Sequence, residues 1–169
     1  MDVHNRRGQI CTIDRLRAFM TAGSATLTIV SLKTQTRFTY KLVKSDPEKA
    51  VKPGNEVIFV RLLSGPDNEG DFTFMGTLFP SQSGWWTYRH SAKSRIGFNA
   101  GSVAAFSYLM RVTTLAKEIP PELEVWHEGR CGRCNRKLTV PGSIEIGFGP
   151  DCAEILGLEF AGQTRLEFA

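Results

Sequence analysis

The chain has 169 residues, of which 41% are hydrophobic and 22% are charged, and its formal net charge is +4 at pH 7. These proportions are those of a folded globular protein, so they exclude a largely disordered chain. No apolar run approaches the length of a membrane-spanning helix, and the polar N-terminus lacks the apolar core of a signal peptide.

The N-terminal part predicts an arm, a helix and a β-hairpin. Residues 1–10 are polar and basic and are expected to form a mobile arm. Thr12 is a suitable N-cap for a helix that stops at Gly23. Apolar and polar residues then alternate over residues 25–30 and 37–42, which predicts an antiparallel hairpin with a cationic or hydroxylic outer face. The apolar face of the helix would consist of Ile13, Leu16, Phe19 and Met20.

A second hairpin is predicted in the middle of the chain. Residues 56–63 are apolar on both faces apart from Arg61, so they are expected to form a central strand. A polar turn leads into the next strand, in which Phe72, Phe74 and Leu78 are expected on one side.

A fifth strand and a helix complete the predicted first domain. Residues 85–90 would extend the sheet, and residues 102–117 carry a broad apolar stripe at helical spacing. A Pro-Pro pair at 120–121 ends this helix, and residues 123–127 form a short strand. The fold class is therefore predicted as α+β, with an antiparallel sheet of four to five strands covered by a helix.

Aromatic rings and cations are interleaved in the polar segment 84–98. Such a segment suits stacking of rings on unpaired bases while the cations neutralise phosphates. A second interpretation stays open, in which the tryptophans pack into the core and the cations are solvated. The residues predicted to bind nucleic acid here are Trp85, Trp86, Tyr88, Arg89, Lys93 and Arg95.

Two other features are weaker candidates for a metal site or a catalytic residue. Asp67, Glu69 and Asp71 alternate as in some calcium loops, but the closing glutamate of an EF-hand is missing, so a plain hairpin loop is expected. His90 has no nucleophile or carboxylate in a catalytic motif beside it, which favours a solvated or phosphate-facing histidine. With no phosphate-binding loop or nucleophile elbow in the sequence, we do not expect an enzyme.

The C-terminal part holds three of the four cysteines in a pattern typical of a metal site. His127, Cys131, Cys134 and Cys152 follow the spacing H-x3-C-x2-C-x17-C, which suits one tetrahedral zinc ion. The zinc would be structural, since four protein ligands leave no position for an activated water. Asp151 or a water is an alternative fourth ligand to His127. A redox role for the CxxC pair is disfavoured because no βαβ pattern surrounds it.

Local signals suggest how this zinc module would fold. A Pro-Gly pair at 141–142 separates two extended runs and predicts a hairpin or a wide turn. Pro150 then opens a short helix, which places Cys152 where partial positive charge stabilises a thiolate. A cysteine turn, a hairpin and a ligand at a helix start are typical of a treble-clef-like module. Cys11 is far from it in sequence and is expected to be a small core residue.

The segment GRCGRCNRKLTVPGSIEIGFGPDCA, residues 129–153, resembles a small zinc-binding domain of unknown function that is common in bacteriophage and actinobacterial proteins. The family pattern is CGRCGRxLT, then S, then GxGPxC. Asn135 stands where the family has glycine, a departure that leaves the ligands intact. The resemblance implies zinc and a phage or mobile-element origin, and it implies no biochemical activity. The residues that fall in place are Leu138, Thr139, Ser143, Gly147, Gly149, Pro150 and Cys152.

The sequence thus predicts two domains with opposite charge. Residues 1–121, the α+β domain with its basic arm, contain 16 Lys and Arg against 9 Asp and Glu, a net charge of +7. Residues 122–169, the zinc module and a tail, contain 5 against 8, a net charge of −3. The first domain therefore suits an anionic partner. Four cations close to the metal would add contacts to the backbone of the nucleic acid. They are Arg130, Arg133, Arg136 and Lys137.

The leading prediction is a zinc-stabilised, phage-type nucleic-acid-binding protein that works in the cytoplasm of a bacterial host, on DNA or RNA. Cysteines in a metal pattern fit a reducing compartment better than secretion. The alternative is a phage protein-interaction factor that binds and inhibits a host defence or replication complex.

Overall fold

The computed structural model describes residues 8–46, 48 and 56–158, and most of the predicted arm and the tail after residue 158 lie outside this range. The described chain is α+β, and its cysteines at 131, 134 and 152 come together near the C-terminal end. The helices and strands are, in order, α1 (Ile13–Met20), β1 (Ser24–Ser31), β2 (Arg37–Lys44), β3 (Ile58–Leu63), β4 (Phe72–Pro80), β5 (Trp86–His90), α2 (Gly101–Leu115), β6 (Leu123–His127), α3 (Pro141–Ile146) and α4 (Pro150–Ile155).

The strands form one six-stranded antiparallel sheet in the order β5-β4-β3-β2-β1-β6. The first five follow the chain as hairpin neighbours, as the alternating pattern predicts. The sixth, β6, returns after α2 and pairs with β1, so the sheet is one strand larger than expected. The predicted domain boundary after residue 121 falls just before β6, which belongs to the same sheet as the strands of the first predicted domain.

The two faces of the sheet differ in what they contact. On the inner face, alternate side chains such as Leu27, Tyr40 and Val60 are fully buried. The ring of Phe106 in α2 lies 4.9 Å from the Tyr40 ring and 5.0 Å from the Tyr88 ring, measured between centroids. The Tyr40 hydroxyl donates a 2.6 Å hydrogen bond to the backbone carbonyl of Ser102. Helix α2 therefore packs on the inner face.

The opposite, outer face carries cations, hydroxyls and phenylalanines. Strand pairing places Arg61 beside Phe74, and Thr77 beside Arg89, on this side. Phe59 and Phe79 are each 38% exposed. The predicted cationic or hydroxylic outer face of the first hairpin is thus one half of a larger surface that crosses the sheet.

A β-bulge in β4 corrects one sequence prediction. Phe72, Phe74 and Leu78 were expected on one side, but the pairing with β3 shifts between Val60 and Arg61. Two-residue periodicity fails at a bulge, because one residue is inserted without a partner. Leu78 is therefore buried on the inner face, whereas Phe72 and Phe74 point to the outer face.

The segment after the cysteine turn is helical rather than a hairpin, so the hairpin predicted at 141–142 is wrong. Pro141 occupies the first turn of α3, where its fixed φ suits a helix and its missing N–H is not needed. Gly147, with a φ of 81°, ends α3 in the left-handed conformation. The only pairing described in this segment is an isolated antiparallel bridge between Arg130 and Lys137.

Candidate functional site

Three cysteines form a cluster next to the end of β6. The sulfurs of Cys131, Cys134 and Cys152 all lie within 4.8 Å of one another. Cys131 and Cys152 are buried and Cys134 is exposed, so the cluster opens to solvent on one side. Around one zinc ion, with Zn–S bonds of about 2.3 Å, thiolates lie roughly 3.8 Å apart. The three sulfurs are therefore close enough to share one metal ion.

Backbone hydrogen bonds shape the turn that holds the first two cysteines. Asn135 adopts a left-handed conformation, with a φ of 63°, and its N–H donates to the Cys131 carbonyl at 2.9 Å. The Cys131 N–H donates to the Arg136 carbonyl at 2.9 Å. Gly132 connects the turn to its surroundings, because its N–H donates to the Gly147 carbonyl at 3.0 Å and its own carbonyl accepts from Ser24 at 2.9 Å.

The environment treats the two buried thiols differently. Burial disfavours the Cys131 thiolate, but the backbone N–H groups of Cys134, Gly149 and Arg133 outweigh it, so the pKa of Cys131 is lowered. Burial raises the pKa of Cys152, although the Arg133 guanidinium lies 3.7 Å from its sulfur. The start of a short helix thus does not by itself favour the Cys152 thiolate. A bound cation would favour it.

His127, the predicted fourth ligand, lies outside this cluster of three. Its Nε2–H donates to the Ile144 carbonyl at 2.5 Å, and its Nδ1 accepts from the Gly129 N–H at 3.0 Å. Burial lowers the pKa of His127, in keeping with a neutral ring. His127 joins β6 to α3 in this arrangement, and a role as a ligand stays a prediction. Asp151 is exposed in the first turn of α4, and Cys11 is exposed rather than in the core.

The cations near the cluster point in different directions. Arg133, Arg136 and Lys137 are exposed. Arg130 forms an ion pair with Glu69 at 2.9 Å and donates to the Asn135 carbonyl at 3.2 Å. This ion pair connects the cysteine turn to the loop between β3 and β4.

Three aromatic side chains of the 84–98 segment, Trp85, Trp86 and Tyr88, pack inwards. The Trp85 indole N–H donates to the Thr113 hydroxyl at 3.0 Å, and Arg17 stacks 5.1 Å from the centre of its ring. Trp86 and Tyr88 are partly buried against the core. Burial raises the pKa of Tyr88 to about 12. These three rings thus contact the rest of the protein, whereas the cations Arg89, Lys93 and Arg95 of the same segment are exposed.

The carboxylates of Asp67 and Asp71 accept hydrogen bonds within their own loop, whereas that of Glu69 pairs with Arg130. Asp71 accepts from the Asp67 N–H at 2.8 Å, and Asp67 accepts from the Glu69 N–H at 2.9 Å. His90 is similarly occupied, since its Nδ1 contacts the Tyr88 hydroxyl at 3.1 Å and its Nε2 the Ile96 carbonyl at 2.9 Å. These hydrogen bonds hold the loop between β3 and β4 in shape and fix the orientation of the His90 ring.

The aromatic half of the outer face, which consists of Phe59, Phe74 and Phe79 with Arg61 and Arg89, was not predicted from the sequence. The rings of Phe59 and Phe74 meet edge to face at 6.4 Å, and Arg89 lies 5.5 Å from the centre of the Phe79 ring. Arg61 is exposed between them. Within the described part of the chain, neither Arg61 nor Arg89 forms an ion pair. The signal was the alternation in β3 and β4, which separates two faces without saying which one is covered.

A cleft of about 800 Å³ occupies the other half of the outer face, between β6 and the loop before β4. Its floor includes Thr28, which contacts the Thr39 hydroxyl at 2.6 Å and also donates to a carboxylate oxygen of Glu128. Arg37 and Lys41 lie on the same strand as Thr39. Glu128 follows β6 directly, so only the pairing of β6 with β1 brings it to this place.

Comparison with known protein families shows that residues 122–157 match a family of unknown function, DUF6011. The match spans β6, the cysteine turn, α3 and α4, which is less than half of the chain. Searches of curated proteins and of solved structures gave no match. Among the described residues, no helix is long and apolar enough to cross a membrane.

Proposed function

We propose that the cysteine cluster holds one structural zinc ion. The donor set supports this, because three sulfurs within 4.8 Å of one another, one of them surrounded by backbone N–H groups, suit a soft divalent cation. His127, Asp151 or a water would supply the fourth donor. With the cysteine turn and Cys152 at the start of α4, the arrangement would be a treble-clef-like module. Zinc here would fasten α4 and the turn to the rest of the fold.

A metal-content measurement tests this proposal. Purified protein is expected to contain one zinc per chain, and Cys134→Ser is expected to lose most of it. Cys11→Ser is the matched control, because Cys11 is exposed and lies outside the cluster. Full zinc content in the Cys134→Ser protein would contradict the assignment.

We further propose that the protein binds nucleic acid across the aromatic half of the outer face. The observation that carries this proposal is the set of exposed or half-buried phenylalanines (Phe59, Phe74, Phe79) beside Arg61 and Arg89, two cations that form no ion pair with any residue that the structure describes. Rings on an open sheet face offer stacking surfaces to bases, and adjacent guanidinium groups neutralise phosphates. The net charge of +7 over residues 1–121 supports the same partner. Of the residues first predicted to bind, Arg89 lies within this surface.

A salt-series titration with single-stranded and duplex oligonucleotides tests this function. The zinc-loaded wild type is expected to bind, with an affinity that falls as salt rises, because phosphate neutralisation releases counterions. The Phe59→Ala/Phe79→Ala variant is expected to lose about 1–3 kcal/mol for each stacked base. Leu115→Ala is the matched control, since Leu115 is 75% exposed on α2, away from the outer face. Unchanged binding in the phenylalanine variant would contradict the proposal.

The alternative function is a phage protein-interaction factor that inhibits a host defence or replication complex. Exposed apolar side chains on α4 and just before α3 favour a protein partner, since Ile155 is 64% exposed and Val140 58%. Absence of any oligonucleotide binding at moderate salt, together with tight binding to a purified host complex that Ile155→Ser weakens, would establish this alternative.

A further inference from the structure

The cleft on the outer face is formed by one row of residues across five strands. Thr28 of β1 pairs with Trp126 on one side and with Thr39 on the other, so these three side chains point the same way. Leu63 and Phe72, which pair with each other on β3 and β4, also line the cleft. The cleft of about 800 Å³ above this row is within the size range of small-molecule sites.

The centre of the floor offers hydrogen-bond acceptors rather than donors. The Thr28 hydroxyl donates its one proton to Glu128, so the 2.6 Å contact between Thr28 and Thr39 requires Thr39 to be the donor. Both hydroxyl protons are therefore used inside the protein. Among the described residues, only Thr28 donates to the Glu128 carboxylate, which leaves further lone pairs and its second oxygen as acceptors. A ligand at this point would have to bring hydroxyl or amino protons.

A second acceptor lies at the border with the cysteine turn. The side-chain Oδ1 of Asn135 is buried and has no hydrogen-bond partner among the described residues. Asn135 lines the cleft and is held in place by its left-handed backbone. A buried polar atom without a partner is unfavourable, and a ligand proton would satisfy it.

Cations flank the acceptors on one strand. Arg37 and Lys41 precede and follow Thr39 by two residues, so all three side chains lie on the outer face. Arg37 is exposed and forms no ion pair within the described chain, and the Lys41 ammonium lies 5.7 Å from the centre of the Phe72 ring. The two residues are about 13 Å apart along the strand, so their long side chains would converge from either side of Thr39 to donate to one anionic group.

Taken together, these groups suit a ligand that has an anionic group at one end and several hydroxyl or amino donors at the other. Inorganic phosphate satisfies only the cations, and an uncharged nucleoside satisfies only the acceptors. A ribonucleotide has both, and its ribose hydroxyls are donors that a carboxylate accepts well. We propose that the cleft binds one ribonucleotide, with its phosphate at Arg37 and Lys41 and its sugar or base donors at Glu128 and Asn135.

The ribonucleotide would be either a free mononucleotide or one residue of an RNA strand. In its strand form the inference rests on the proposed nucleic-acid function, and in its free form it is independent of it. The cleft and the aromatic half of the outer face consist of different side chains, so variants separate the two sites.

The experiment is a calorimetric titration of the full-length, zinc-loaded protein. The probes are the four ribonucleoside 5′-monophosphates, their 2′-deoxy counterparts, the nucleosides and inorganic phosphate. At least one ribonucleoside monophosphate is expected to bind, and its 2′-deoxy form, its nucleoside and phosphate are each expected to bind about tenfold more weakly. In the strand form, an RNA oligonucleotide is preferred over the DNA of the same sequence by a similar factor.

Three variants decide the outcome. Arg37→Gln and Glu128→Gln are each expected to weaken binding of the ribonucleotide or the RNA about tenfold. Lys33→Gln, an exposed cation in the β1–β2 turn outside the cleft, is expected to change nothing. Because Arg37 is exposed, the Arg37→Gln protein is expected to fold. It therefore still tests the site if Glu128→Gln disturbs the hydrogen bond from Thr28.

The results separate this inference from the proposed function. Binding of monophosphates that Arg37→Gln weakens supports a free ligand, whereas an RNA preference that Glu128→Gln removes supports a strand. Monophosphates that bind no better than phosphate, together with equal affinity for RNA and DNA, would overturn the inference. It would also be overturned if neither variant changed binding. Loss of oligonucleotide binding in Phe59→Ala/Phe79→Ala concerns only the proposed nucleic-acid surface.

Discussion

Gly132 lies between the two cysteines of the turn and directly against the ring of Phe19. A Cβ at this position would stand 2.6 Å from Cδ2 and 2.7 Å from Cε2 of Phe19, and 3.1 Å from the ring of Phe148. Phe19 and Phe148 are both fully buried, so neither ring has room to move. The close approach of the turn to α1 therefore depends on a residue without a side chain.

Gly132→Ala is expected to destabilise the protein by about 2 kcal/mol, because overpacking a rigid core costs about 1–3 kcal/mol. Chemical denaturation of the zinc-loaded protein measures this. Gly97→Ala is the matched control, since a Cβ at Gly97 meets nothing within 4 Å, and it is expected to change little. Equal stability of the two variants would show that the ring of Phe19 yields easily.

Trp85 shows how a residue type suited to base stacking serves the fold instead. Its hydrogen bond to Thr113 and its stacking with Arg17 join the chain before β5 to both α1 and α2. Trp85→Ala is therefore expected to lower the free energy of unfolding by about 2 kcal/mol, somewhat less than a fully buried aromatic residue would cost. Phe98→Ala, which removes a ring that is 73% exposed, is the control. Loss of oligonucleotide affinity in Trp85→Ala at unchanged stability would instead support the original stacking prediction.

At the scale of elements, the contact between α2 and the sheet depends on buried tyrosines. Burial, and the charge of Tyr88 when ionised, raise the pKa of Tyr40. Burial raises that of Tyr88 to about 12. In the unfolded chain a tyrosine ionises near pH 10. The folded state therefore keeps its phenol protons at pH values where the unfolded state has lost them.

This difference in pKa between the folded and unfolded states predicts that the protein loses stability at alkaline pH. Stability from the protonated tyrosines is fully present below about pH 10 and is lost as pH rises through the folded pKa values. The melting temperature is expected to fall steadily from pH 10 upwards, together with ionisation seen in the ultraviolet absorbance of tyrosine. Tyr88→Phe should make this fall less steep. A melting temperature that is constant between pH 10 and 12 would contradict the prediction.

The elements also show what sequence patterns can and cannot predict. Alternation predicted β1, β2 and β4, an apolar run predicted β3, and the helical stripe predicted α2, because these signals depend only on neighbours along the chain. The bulge at β4 was not predicted, since it arises from pairing with β3 and moves Leu78 away from the side of Phe74. Nor did the Pro-Gly pair that begins α3 distinguish a hairpin or wide turn from a first helical turn, since proline suits both.

At the scale of the whole molecule, the cysteine pattern was predictable and its surroundings were not. Spacing predicted that Cys131, Cys134 and Cys152 meet. Cys11 was predicted to be a core residue but is exposed. The position of Glu128 beside Thr28 depends on a pairing between strands that are 100 residues apart in the chain. The two halves of the outer face likewise come from all six strands. A binding surface assembled in this way leaves no local motif.

Removal of the proposed zinc ion is expected to affect the whole fold. Phe19, Phe148 and Cys131 belong to the same hydrophobic core as the inner face of the sheet, and β6 enters the sheet just before the cysteine turn. A chelator, or Cys134→Ser, should therefore lower the midpoint of one cooperative thermal transition, because zinc binding contributes to folding. Circular dichroism monitored in the far and near ultraviolet measures this. A separate low-temperature transition, with the sheet signal unchanged, would instead show that the C-terminal segment unfolds alone.

The residues just before α1 also cover the outer edge of β6. Gln9 bridges to Trp126, the Ile10 N–H donates to the Val125 carbonyl at 2.7 Å, and the His127 N–H donates to the Gly8 carbonyl at 2.8 Å. This short segment pairs with the free edge of β6. Without it, β6 would be an exposed edge strand, whose unpaired backbone groups favour pairing with another chain. A chain shortened to begin at Cys11 is expected to self-associate as its concentration rises, which sedimentation velocity would detect, and a monodisperse short form would contradict this. Loss of the first ten residues would thus expose the edge of β6 to pairing with a strand of another copy.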